Sequence, residues 1–162
     1  MKVFPQKFLP VITNGPAYTV AVWFDNKFDI NERAVSDVAH MIDSRVSTYV
    51  HKHPFICCGA DIEARESLLQ MRYKKGKEKM VRYIEEEMSL GYKLNGERHF
   101  QTGLIIYNLR HPDTEKIQNM WMEHIRRCGI ECQISFYFIA QRFPVCIDEF
   151  TANISPECFR MS

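Results

Sequence analysis

Apolar and polar positions change rhythm several times along the chain. Tyr18 to Phe24 read Tyr-Thr-Val-Ala-Val-Trp-Phe without a charge, and the polarity flips at once to Asp25-Asn26-Lys27. A short uninterrupted run rich in Val and aromatics predicts a strand buried on both faces, as in parallel sheets. Ala34, Val35, Val38, Ala39 and Ile42 then keep helical spacing, predicting a helix over 32–43 with Asp29 or Asn31 as its cap. Residues 46–51 alternate as a second strand, which His51-Lys52-His53-Pro54 ends. Residues 61–90 read as helix, broken in two by Lys74-Lys75-Gly76-Lys77 and stopped by Gly91. A third strand is predicted over 100–108, where Gly103 marks a bulge or a close backbone approach. Asp113 or Thr114 caps a helix over 115–127 that carries Ile117, Met120, Trp121 and Ile125 on one face. Residues 132–142 are apolar throughout, a pattern that fits helix or strand. The ends, 1–17 and 145–162, read as irregular. Strands alternating with helices predict an α/β fold in one domain spanning 1–162.

Composition narrows the function classes. The 162 residues are 46% hydrophobic and 12% aromatic, enough for a substantial core. Twenty-one basic residues against 20 acidic ones leave a net charge of +1, so no overall field draws the chain to nucleic acid or a membrane surface. Lys2 and Lys7 are not followed by an apolar secretory core, and no run approaches the length of a membrane span. The expectation is a cytoplasmic protein whose six cysteines are reduced thiols. There is no CxxC pair or HExxH for zinc, and Gly129 argues against Cys128 and Cys132 sharing one helix. Phosphate-loop, dinucleotide, nucleophile-elbow and kinase signatures are also absent.

What remains is a set of polar groups at predicted strand ends. Asp25 follows the first strand, His51 and His53 the second, and Asn108 the third. In open α/β sheets such ends face one crevice, so these residues are expected to converge there. Asp25-Asn26 also has the chemistry of a plain turn. Glu63 and Glu66, at i and i+3, share a helix face and can ligate a metal or take a proton; equally, they are ordinary first-turn acids. An acid ending a buried strand is what metal-dependent nucleotide-sugar chemistry needs, with Mg²⁺ or Mn²⁺ between the carboxylate and the diphosphate.

These segments, in order, resemble a known family. Tyr18 to Lys27, ending Trp-Phe-Asp-Asn-Lys, resembles the Tyr-Ser-Ile-Trp-Ile-Asp-Gly segment of the glycosyltransferase-like domain of plant mucilage-related and turgor-regulation-defect proteins and of bacterial polysaccharide loci. Lys7-Phe8-Leu9-Pro10 is similar to its lead-in, and Lys52-His53-Pro54 with the acids up to Glu66 to its His-Pro and Glu-rich helix start. Thr102 to Tyr107 resembles its Gly-Val-Ile-Ile strand, Trp121 to Ile125 its Trp-x-x-Glu stretch, and Gln133-Ile134-Ser135-Phe136 its Arg-Asp-Gln-Leu-Ser-Phe block. The series covers roughly residues 7–142.

The resemblance implies a GT-A-like three-layer sandwich with a mostly parallel central sheet, and residues 132–142 as helix. It implies a nucleotide-sugar donor, a glycan acceptor and an Mn²⁺ or Mg²⁺ ion on Asp25. Glu63, Glu66 and Gln133 are then the catalytic candidates, and Trp23, Lys27, His53, Gly103 and Asn108 line the donor and acceptor sites. Glu131-Cys132 stands in place of the family's Arg-Asp, His124 in place of a Glu, and Asn26 in place of the Gly after the strand aspartate. The usual domain opens with a further β-α-β portion that binds the base. The chain is therefore expected to be the C-terminal two-thirds of such a domain, completed by a missing half or a partner chain, or else a shortened relative. Two other functions stay open: a non-catalytic glycan-binding or assembly module, and a lipid hydrolase, an activity assigned to one plant relative.

Overall fold

The computed structural model describes residues 18–25, 28–30, 32–53, 55–56, 59–96, 98–129, 132–149 and 159–161. Lys27, Asn26, Glu131 and the 1–17 segment lie outside these residues. The most deeply buried strand is β4, Phe100–Asn108, with eight of its nine residues buried. It pairs on both sides, with β1 (Val20–Phe24) and β3 (Thr48–Lys52), both antiparallel. β5 (Ile147–Glu149) adds to β3 in parallel, for a sheet order of β1-β4-β3-β5. β2 (Phe28–Ile30) and β6 (Phe159–Met161) form a separate antiparallel pair. The α/β expectation holds, but the expected mostly parallel sheet does not: the four-stranded sheet is mixed, with β1–β4 and β3–β4 antiparallel and only β3–β5 parallel. β1, β3 and β5 point one way, with β4 running against them through the middle.

This arrangement corrects the reading of the first apolar run. β1 is half-buried, with Phe24 exposed, and among the described residues it pairs only with β4. The run reads like an interior strand because it is apolar without a break, yet it lies at the end of the sheet order. The tail read as irregular contains β5 and β6, each three residues long and too short to show a period.

Helices cover both faces of the sheet. α1 (Glu32–Met41) sets Val38 with Val46, Tyr49 and Ile106 on one face. On the other, α4 (Thr114–Cys128) and α5 (Cys132–Arg142) bring Ile117, Trp121, Phe136 and Ile139 onto Val50, Ile105 and Tyr107. Trp121 and Phe136 meet edge to face at 4.7 Å, and burying each such ring is worth roughly 1.5–3 kcal/mol. α2 (Asp61–Leu69) and α3 (Lys77–Ser89) pack on the far side of α5 through Ala64, Met80, Tyr83, Ile134 and Phe138. A 3₁₀ segment, Met71–Gly76, separates α2 from α3 where the lysine run predicted a break.

The α5 position explains its ambiguous pattern. Residues 134–139 are all buried because the helix has the sheet on one side and α2 and α3 on the other. A helix enclosed all round loses its amphipathic signature. Gly129, at φ +102°, ends α4 and turns the chain into α5, so Cys128 and Cys132 belong to different helices.

Candidate functional site

Because β1 and β3 run parallel and β4 antiparallel, the C-terminal ends of the first two meet the N-terminal end of the third. The backbone N–H of Asp25 donates to the Gly103 carbonyl at 2.8 Å, and that of His53 to the His99 carbonyl at 2.8 Å. The β3–β4 register breaks beside this edge: Val50 pairs with Ile105, but His51 pairs with Gln101. Residues 102–104 therefore bulge around Gly103, as its place in an apolar strand predicted. The bulge also shifts the side-chain alternation, so that Phe100 joins Ile105 and Tyr107 in the same core.

α2 delivers Glu63 to this edge. Its start is tied down by the Ala60 N–H, which donates to the Leu94 carbonyl at 2.8 Å. Gly59, just before it, sits at φ +72°, and a Cβ there would lie 3.0 Å from the backbone of Leu94 and Asn95. Glu63 Oε1 accepts a hydrogen bond from Gln133 Nε2 at 2.9 Å, and Gln133 Oε1 accepts the Thr102 N–H at 3.3 Å. Glu63 Oε2 lies 3.6 Å from His53 Nε2 and 3.7 Å from His99 Nε2. Burial alone pushes the Glu63 carboxyl up; the close His99 imidazole, the Gln133 amide and the His53 imidazole reverse this and hold it below the ordinary range. Glu63 is thus an ionised anchor at neutral pH.

The other nominated residues fall in different places. Asn108 is at the opposite end of the sheet, because β4 is antiparallel, and it is buried there. Its Nδ2 donates to the Val46 and Asp43 carbonyls at 3.1 and 3.3 Å, and its Oδ1 accepts the Arg110 N–H at 3.1 Å, which makes it a loop clamp. Glu66 is exposed on α2, whereas Glu63 is half-buried. Trp23 lies opposite Ile105 and packs towards the α4/α5 core, with its indole Nε1 buried and unbonded. His51 is exposed. Asp25 is half-buried at the strand end.

His99 carried no signal in the sequence, since a lone His before an apolar strand fits no motif. It is fully buried, with neither ring nitrogen hydrogen-bonded, between the rings of His53 (centroids 5.2 Å) and Tyr137 (5.7 Å). Beyond Tyr137 opens a cleft of about 580 Å³ walled by Lys93, Asn95, Arg98, Phe100 and Gln141. Arg98 is fixed over the Phe100 ring at 5.0 Å and paired to Asp148 and Glu149 at 3.2 and 3.4 Å.

Donor atoms of His53, Glu63 and His99 lie within 4.8 Å of one another, a spacing that suits a metal. The tautomer does not suit one. His53 Nδ1 accepts the N–H groups of Ile56 and Phe55 at 3.0 and 3.3 Å, so the neutral ring carries its proton on Nε2, the atom that faces Glu63. A ligating histidine needs the reverse arrangement. A second group, His111, Asp113 and Cys146, lies outside the strand-end edge. Burial, then Asp113, raises the Cys146 thiol, and His111 Nδ1 accepts the Asp113 N–H at 3.1 Å, so the ligating forms of both are disfavoured. Mn²⁺ and Mg²⁺ prefer hard oxygen donors, and among the strand-end residues that chemistry belongs to the Asp25 carboxylate.

No protein-family model, curated protein or solved structure matches the chain. No helix among the described residues is long and apolar enough to cross a membrane.

Proposed function

We propose that the chain is a metal-assisted glycosyltransferase, or the C-terminal portion of one, moving a sugar from a nucleotide donor to a glycan. The observation that carries this reading is convergence. Asp25, His53, Glu63, Gly103 and Gln133 were nominated from five separate stretches, and they gather at one edge of the sheet, linked by the hydrogen bonds and close contacts given above. Asp25 would hold an Mn²⁺ or Mg²⁺ ion, which when bound supplies positive charge opposite the leaving diphosphate. Gln133 and Glu63 brace the bulge that carries Gly103, and the ionised Glu63 keeps the His53 N–H oriented. The cleft beyond Tyr137 is the place for the acceptor, with Phe100 and Tyr137 as aromatic faces and Arg98 as a fixed polar group. A β-α-β portion or a partner chain would complete the base-binding side.

The test is release of nucleoside diphosphate from a panel of nucleotide sugars with Mn²⁺ present. Asp25→Asn is expected to lower the rate by at least about 10²-fold, the usual cost of losing one electrostatic stabiliser. Absence of turnover by the wild type across the panel, or an Asp25→Asn variant as active as wild type, contradicts the reading.

A second reading is favoured by Cys132. It stands where the resembled family has Asp, and its Sγ shares a hydrogen bond with Thr102 Oγ1 at 3.4 Å. On this reading the chain is a non-catalytic glycan-binding module. Glycan binding that needs neither metal nor nucleotide supports it, and turnover of any nucleotide sugar excludes it.

A further inference from the structure

We propose that His99 is a positioning residue which, through Glu63 and Gln133, fixes the Thr102–Gly103 bulge from which Asp25 hangs. The inference rests on the transferase reading only for what Asp25 does; the mechanical link stands by itself.

The link can be followed atom by atom. His99 Nε2 lies 3.7 Å from Glu63 Oε2. The other oxygen of that carboxylate accepts Gln133 Nε2–H at 2.9 Å. The amide oxygen of Gln133 accepts the Thr102 N–H at 3.3 Å. The next residue, Gly103, offers its carbonyl to the Asp25 N–H at 2.8 Å. Four elements meet in this line: the lead-in to β4, helix α2, helix α5 and the end of β1.

His99 is the point on which the line turns. Its side chain is fully buried, and neither ring nitrogen is hydrogen-bonded. A buried polar ring left this way is costly unless it serves an electrostatic partner, and Glu63 is that partner. His53 already lies against the same carboxylate oxygen, its Nε2 at 3.6 Å, so the two imidazoles hold Glu63 together. Exchange of His99 for an apolar ring leaves Glu63 half-buried with one imidazole in place of two. The carboxylate then loosens, and with it the amide that holds Thr102.

Amide hydrogen exchange at pH 7 on the full chain tests this, with His99→Phe, Glu63→Gln and Gln133→Leu compared with wild type. The expected result is exchange about tenfold faster at Thr102 and Asp25 in His99→Phe, the effect of weakening one hydrogen-bond link. Ile105, Ile106 and Tyr107 on the same strand stay within about twofold of wild type. Glu63→Gln, which keeps its shape and a bond to Gln133, disturbs Thr102 less than Gln133→Leu does. Uniform acceleration along β4 in His99→Phe means a merely structural role and overturns the proposal. So does unchanged exchange at Thr102 and Asp25. If His99→Phe does not fold, His99→Leu takes its place: it must free Thr102 and Asp25 and spare Ile105 to Tyr107, and unchanged exchange at Thr102 overturns the proposal. The readout needs no nucleotide, so it stands whether or not the chain proves to be a transferase.

Discussion

Two carboxylates, the half-buried Glu63 and the fully buried Glu87, sit on neighbouring helices and are handled in opposite ways. Glu87, on α3, is fully buried and faces guanidinium groups: Arg142 Nη2 at 2.6 Å and Arg127 Nη2 at 3.2 Å. Both arginines are themselves fixed, Arg142 over the Tyr92 ring at 3.7 Å and Arg127 by Glu86 at 3.0 Å and the Tyr83 ring at 5.3 Å. Glu63, on α2, faces two imidazoles at 3.6 and 3.7 Å, whose charge is conditional, and a neutral amide at 2.9 Å. Guanidinium groups are always charged and lock a carboxylate in place; imidazoles and amides hold it while leaving room for adjustment. The Glu87 cluster therefore reads as a clamp joining α3, α4 and α5, and the Glu63 cluster as the support of a site.

The largest expected effect breaks the clamp. Arg142→Met removes the closest partner of a buried charge and is expected to cost about 3–5 kcal/mol in urea unfolding. A loss below about 1 kcal/mol would mean that Arg127 alone satisfies Glu87, so the clamp is no stronger than the site.

The clamp also sets a pH dependence. His124 lies 3.7 Å from Glu87 Oε1 and accepts the Tyr83 hydroxyl at 2.8 Å through Nδ1. Burial, then Arg142 and Arg127, lower its pKa from 6.5 to about 4. Between these values the unfolded chain binds a proton that the folded chain refuses, so unfolding free energy falls as pH drops from about 6.5 towards 4 and is flat above. His124→Phe is expected to flatten that slope, as read from unfolding free energies taken between pH 7 and pH 5. Glu63 acts with the same sign at lower pH: its lowered pKa contributes stability above the ordinary carboxylate range, lost as pH falls through and below it.

Smaller effects distinguish the two acids of α2. Glu63→Gln is expected to cost about 1–3 kcal/mol, since the buried His99 and the half-buried His53 imidazoles lose their anion. Glu66→Gln, on the exposed side, should change stability by less than about 0.5 kcal/mol and leave turnover intact. A Glu66 variant that loses turnover at wild-type stability would move the chemistry out of the Glu63 cluster.

The sequence and structure agree where a segment is long and one-sided. α4 and β4 fall within a residue of their predicted ends, because Ile117, Trp121 and Ile125 keep one stripe and 100–108 is apolar up to its turn. They part where the answer depends on neighbours. Strand direction leaves no trace in apolar rhythm, so Asn108 was grouped with Asp25 and His53 although β4 carries it to the far end. β1 was ranked as interior because its composition cannot report that a partner is present on one side only. His99 was invisible for the same reason: its meaning comes from Glu63, 36 positions earlier, and from Gln133 beyond it. Glu63, His53 and Gln133 meet at one edge, a juxtaposition that local pattern does not give: Glu63 reads equally well as a first-turn acid, and 132–142 fits helix or strand.

The central claim is that the strand-end edge at Asp25 takes a metal–diphosphate group, and calorimetric titration tests it most directly. Uridine and guanosine diphosphates are titrated into the full chain with Mn²⁺ present and with Mn²⁺ removed by chelator. The account predicts one-to-one, Mn²⁺-dependent binding of at least one nucleotide, weakened at least tenfold (about 1.4 kcal/mol) in Asp25→Ala while Glu66→Gln binds as wild type does. No binding of either nucleotide by the wild type, or equal affinity in Asp25→Ala, contradicts it.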